Sequence, residues 1–249
     1  MTKMANKVKI MVWVCVVYIL SSICYIPMML QQRGIAVPNG LLLLKYLFVC
    51  IPAASAFLFL AFEHRVKQYF AAVFSGKIAR KQIGTWAILV FAGLSVSFCY
   101  SLAARTDLLQ NTYPSVIVLL ASCMYLFATA FVEELAWRGV LLEQVSFQRE
   151  SIRSILLVGS IWTIWHLPMW IIRNSLGASQ IISLCIWTLL VSVVLGIAYY
   201  QCRNLLFAAI LHATFNICYL APIAYNIAAL ALVIVAAALL WRQKWRSAV

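Results

Sequence analysis

The sequence predicts an all-α membrane protein, a polytopic bundle of about eight transmembrane helices. Three observations carry this. Hydrophobic residues make up 65% of the 249-residue chain and charged residues only 10%, where a soluble domain is nearer a quarter charged. The apolar residues are gathered into runs of about 20, the length that crosses a bilayer as a helix. The basic residues sit between those runs and favour alternate loops, as the positive-inside rule expects of a threaded chain. No internal repeat, low-complexity tract or soluble segment interrupts the pattern, so residues 1–249 read as a single transmembrane domain.

The first run, Val8–Leu30, is too long for the apolar region of a cleaved signal peptide and has no convincing small-residue cleavage site, so a retained span is expected. Further spans are expected at Leu41–Phe62, Gly84–Ala104, Pro114–Val132, Ser154–Ile172, Gln180–Tyr200, Leu205–Leu220 and Pro222–Trp241. Only Ala221 and Pro222 separate the last two, which predicts a tight hairpin or a broken helix there. With the N-terminus cytoplasmic, fifteen of the nineteen Lys and Arg residues fall inside and four, Arg33, Lys45, Arg105 and Arg173, fall outside. Both termini are then cytoplasmic, which needs an even span count, and the cell membrane is the expected location. The basic Glu63–Ile83 segment should hold an interfacial amphipathic helix around Val66–Phe74. The net charge of +13 is thus a topology signal that also suits the lipid bilayer's anionic headgroups, and no nucleic-acid partner is implied. The eight cysteines form no C-x-x-C pair, lie mostly inside apolar runs and read as buried free thiols.

Against this background the stretch Phe131–Arg138 stands out. The chain has six acidic residues, and two of them, Glu133 and Glu134, are adjacent here. Ionisable groups at membrane depth are costly and point to function. Glu134 and Arg138 are i and i+4, so a helix lets them pair. Glu133 is turned about 100° away and lacks that partner, leaving one carboxylate held and its neighbour available for chemistry.

Two of the three histidines, His166 and His212, also lie inside apolar runs, while His64 is interfacial. Trp162 and His166 are i and i+4, so the indole can brace the imidazole. His212 and Asn216 share that spacing, which aims two donors at one spot and suits a developing oxyanion. Pro168 frees the carbonyl of Ile164 and should kink its helix, compatible with a water-lined pocket. No G-x-S-x-G elbow or H-E-x-x-H motif is present, and Ser160 is poorly spaced to partner His166. A zinc site is the alternative, because Glu133, His166 and His212 supply three ligands and leave one position open.

Glu-Glu-x-x-x-Arg followed by Gly139, then aromatic-x-x-x-His, then His-x-x-x-Asn resembles the motif series of the CPBP family. That family includes type II CAAX prenyl endopeptidases, abortive-infection proteins and bacteriocin self-immunity proteins. The resemblance covers Phe131 to Asn216, so residues 131–216 would be the motif-bearing catalytic region. Trp162 departs from the family pattern, which more often has Phe. The resemblance implies an eight-helix intramembrane endopeptidase acting on a membrane-associated substrate, either a prenylated tail or a small peptide. It implies Glu133 as the base that activates water, His166 assisting, His212 and Asn216 stabilising the oxyanion, and Glu134 with Arg138 as the supporting ion pair. It favours a metal-free mechanism with no cofactor.

Two other classes compete. A non-catalytic immunity or scaffold protein would keep the fold and tolerate loss of Glu133. A small transporter should show repeat symmetry, which the sequence lacks. One tension remains within the peptidase reading. Counted from the span ends, Glu133 sits near the inner edge, whereas His166 lies about 18 Å and His212 about 10 Å deep at 1.5 Å per residue. Convergence therefore requires the fourth helix to run on to about Gln144, with a pocket expected to open toward the cytoplasm.

Overall fold

The first long apolar run folds as helix α1, Thr2–Ile23, followed after a one-turn break by α2, Ile26–Gln32. Pro27 causes little loss there, because in the first turn of α2 its missing N–H would have no helical partner. The computed structural model describes residues 2–74, 76, 83–88, 91, 115–145, 151–174, 176–218, 234, 235 and 238.

The second expected span is not straight. It comprises α3, Asn39–Leu42, a 3-10 turn at Leu43–Tyr46, and α4, Cys50–Phe62. The two parts are bent by 64°. Pro52 lies in the first turn of α4, where its missing N–H has no helical partner to lose. The amphipathic helix expected around Val66–Phe74 is α5, Val66–Val73, with Val73 buried.

Helix α6, Val116–Glu134, starts at Ser115, whose hydroxyl accepts from the Val118 N–H at 3.3 Å. It does not stop at the glutamates. A π-helical segment, Leu135–Leu142, and a last turn, Glu143–Val145, extend it to 30 residues. The stretch beyond Glu133 is therefore not the polar connection that its composition suggests. Glu134, Ala136, Trp137, Arg138 and Leu141 are each fully buried. Arg138 belongs to the interior rather than to the interfacial charges, which leaves fourteen basic residues against four in the topology count.

Helix α7, Ile152–Asn174, continues through Pro168. Helix α8, Ala178–Cys202, ends at Arg203, which takes the left-handed conformation (φ 48°). Two residues later α9 begins, Leu205–Cys218, with the Asn204 side chain accepting from the Phe207 N–H at 3.0 Å. Together these elements make an all-α polytopic membrane bundle. Four described helices are long and apolar enough to span a bilayer, or five if the bent pair is one span, and Leu205–Asn216 is a shorter apolar helix. Most of Gly84–Ala104 and Pro222–Trp241, and the Ala221-Pro222 hairpin, lie outside the described residues. The thiols of Cys15, Cys24, Cys50, Cys123 and Cys185 are free, though Cys15 and Cys50 are exposed rather than buried. Cys99 and the side chain of Cys218 lie outside the described residues.

Side-chain contacts define the two ends of the bundle. At one, Lys9 donates to Glu63 at 2.6 Å, Trp86 to Gln201 at 3.0 Å and Asn204 to the Gly76 carbonyl at 3.2 Å. The Lys9 ammonium holds the Glu63 carboxyl below the usual carboxylate range. At the other end, the Gln32 amide donates to the carbonyl of Ile172. Between them a tryptophan stack, Trp13, Trp137 and Trp165, ties α1, the π segment and α7 together with ring centroids 6.3 and 5.5 Å apart. Met11, Phe62, Ile117 and Met124 are each at least 66% exposed, the outward apolar surface that a lipid-facing bundle needs.

Candidate active site

The extension of α6 resolves the depth mismatch. Glu133 lies twelve residues before the end at Val145, which brings it level with residues well inside α7 and α9. Glu133, His166, His212 and Asn216, from three different helices, all line one cavity of about 540 Å³. Glu134 and Arg138 sit behind its wall, both fully buried.

The two glutamates have different partners. Arg138 Nη1 donates to Glu134 Oε1 at 2.7 Å, and Arg138 Nη2 to Ser192 Oγ at 3.1 Å. His212 Nδ1–H donates to the same Glu134 oxygen at 2.9 Å. Glu133 instead accepts from the indole N–H of Trp162 at 2.8 Å. The Trp162 ring also lies under the Arg138 guanidinium, 4.8 Å from its centroid, a distance suited to a cation–π contact. The i, i+4 pairing of Glu134 and Arg138 survives the π winding. Such segments are rare and recur at functional sites.

Both imidazoles are oriented. A carbonyl oxygen only accepts, so the 2.9 Å contact between His166 Nδ1 and the Trp162 carbonyl places the proton on Nδ1 and leaves Nε2 as an acceptor. Trp170 stacks on His166 at 5.2 Å and 18°, with Trp162 edge-on at 5.1 Å. His212 Nδ1 is occupied by Glu134, so its Nε2 is the nitrogen left for the cavity. Asn216 follows one turn later on the same face of α9. Ser160 is exposed on the outer side of α7 and is not among the residues lining the cavity.

Three contributors, and a second role for Trp162, escaped the sequence. Trp162 braces a glutamate as well as a histidine, and that contact spans 29 positions. Trp170 was accessible, since it stands four residues after His166 as Trp162 stands four before. Ser192 had a weak signal, a hydroxyl one turn from Thr188 in an otherwise apolar run. Tyr69 had none. Its hydroxyl reaches up from α5 to donate to the Leu135 carbonyl at 2.6 Å. Burial, with the Glu134 charge nearby, raises its pKa and keeps it a donor.

Tyr69 also explains Gly139. A methyl group on Gly139 would stand 2.8 Å from Tyr69 Cζ and closer still to the hydroxyl. Gly139→Ala should cost about 1–3 kcal/mol, the usual range for overpacking. The check is thermal unfolding in detergent, where Tyr69→Ala in the same chain should return part of the loss.

Glu133, His166 and His212 line the cavity together, yet among the described residues no three His, Cys, Asp or Glu side chains form a group that would hold a metal.

Residues 114–218 match the family described as type II CAAX prenyl endopeptidase Rce1-like. That stretch is Rce1-like in sequence. That region takes in α6 with its π extension, α7, α8 and α9, so every residue considered above except Tyr69 falls inside the Rce1-like match. The matched family is a protease family, and the likeness supports a CAAX-type intramembrane protease. Rce1-like CAAX proteases are not known to need cofactors. No curated protein matches the chain.

Proposed function

We propose that this protein is an intramembrane endopeptidase in which Glu133 activates a water against a peptide bond of a membrane-associated substrate. The observation that carries the proposal is the cavity, where a carboxylate, two oriented imidazoles and a carboxamide from three helices face one space. In this reading residues 131–216 are the catalytic region of a single transmembrane domain.

Glu133 takes a proton from water, and the hydroxide so formed adds to the substrate carbonyl carbon. The carbonyl oxygen becomes an oxyanion, which the Asn216 amide stabilises by donating to it. His212, its Nδ1–H held by Glu134, presents Nε2 to the same space. His166, with its Nε2 lone pair toward the cavity, assists by positioning the water. The C–N bond then breaks and the proton held by Glu133 passes to the leaving amine. Arg138 and Ser192 keep the Glu134 carboxylate in place. Preorganised donors of this kind usually supply the largest share of catalysis.

The experiment is cleavage of membrane-associated peptides by the purified full chain in lipid nanodiscs, with and without a strong zinc chelator. Cleavage unchanged by the chelator is expected. Loss with the chelator and return with added zinc would mean that the alternative metal mechanism operates instead.

A further inference from the structure

We propose that the cavity opens on the extracytoplasmic side of the membrane and takes a peptide presented from that side, not a prenylated tail in the cytoplasm. This rests on the peptidase reading for what enters the cavity, and on geometry and charge for where it enters.

The cavity is one-sided. Its floor is Glu133, His212 and Trp162, exposed by 7%, 2% and 3%, and its rim includes Tyr46 and Tyr125, exposed by 56% and 57%. Tyr125 precedes Glu133 on α6 by eight residues, about 12 Å along a helix. Lys45 and Tyr46 belong to the turn between α2 and α4. This is the end where Gln32 meets Ile172. Toward the opposite end the floor is sealed. Arg138, Trp137, Leu141 and Leu142 are buried beneath the glutamates, and Tyr69 closes over the π segment from below. The expected opening on the same end as the N-terminus is thus reversed, because that end is where the extension of α6 packs.

Charge assigns the ends to the two sides of the bilayer. Among the described side chains the sealed end carries Lys7, Lys9, Arg65, Lys67, Arg153 and Arg203, whereas the open end carries Arg33 and Lys45. Lys and Arg mark the cytoplasmic side, so the cavity faces away from it. A prenylated cytoplasmic tail would have to cross the sealed end to reach Glu133. A peptide in the outer leaflet, or emerging after export, meets the rim directly.

The test uses the full chain in sealed right-side-out vesicles and a membrane-impermeant, amine-reactive sulfonated ester, with modified lysines mapped by mass spectrometry. Lys45 at the rim should be modified, and Lys67 on α5 only after the vesicles are opened with detergent. Tyr46→Lys, which adds a more exposed amine at the rim, should be modified in the sealed preparation as well. Modification of Lys67 in sealed vesicles, or of Lys45 and Tyr46→Lys only after opening, overturns the proposal. The labelling needs no catalysis. An inactive protein labelled at Lys45 would therefore defeat the peptidase reading and leave the sidedness intact.

Discussion

Glu133→Gln should abolish peptide cleavage while leaving the fold intact. Glutamine keeps a carbonyl oxygen where the indole N–H of Trp162 donates at 2.8 Å, so the contact that holds the side chain survives. It removes the ability to accept a proton from water. General-base catalysis contributes roughly 10²–10⁴-fold, so the cleavage rate of the purified variant should fall by that range with little change in its unfolding temperature. Full activity in Glu133→Gln would remove Glu133 as the base and return the non-catalytic scaffold to contention. An inactive variant that unfolds much earlier would instead mean that the Glu133 charge is structural.

The second large effect is on folding. Arg138 is fully buried, pairs with Glu134 at 2.7 Å and holds Ser192 at 3.1 Å. Arg138→Met would leave the Glu134 carboxylate in the interior with His212 alone. Breaking a buried pair from one side typically costs about 3–5 kcal/mol, because an uncompensated charge stays behind. Folded yield and unfolding temperature should both drop. Adding Glu134→Gln removes that charge but keeps an acceptor for His212 Nδ1–H, so the double variant should regain most of the stability. The two substitutions are strongly coupled in this account, and simple additivity in the unfolding measurements would show that they are not a pair. Activity need not return with stability, since Glu134 also orients the imidazole.

Much of this was readable from the chain before any coordinates. The bilayer forces backbone groups to satisfy one another within a helix, so long apolar runs translate directly into α1, α6, α7 and α8. The 3.6-residue period puts Glu134 with Arg138 and His212 with Asn216, and both placements need nothing beyond local geometry. What stayed hidden depends on contacts between distant positions. The indole of Trp162 finds Glu133 only because α7 packs beside α6. Tyr69 caps Leu135 across 66 residues. The bend between α3 and α4 sits in a run as hydrophobic as its neighbours, and composition does not separate a straight span from a folded one. The end of the bundle at which the cavity opens was hidden for a related reason. Sequence shows where polar groups lie along each helix, but not which end of the bundle the side chains of other helices will fill.

The π winding from Leu135 to Leu142 also fixes the phase between two halves of one long rod. Compared with ordinary winding it carries surplus chain, and each residue of an α-helix accounts for about 100° of rotation. Reverting the segment to regular helix would have to swing one half against the other. Either the paired carboxylates would turn off their space, or Trp137 would leave its place between Trp13 and Trp165. The loosened turns act as a spacer that lets a single rod meet two unrelated docking demands at once, and the number of residues between Glu134 and Val145 is bound by both.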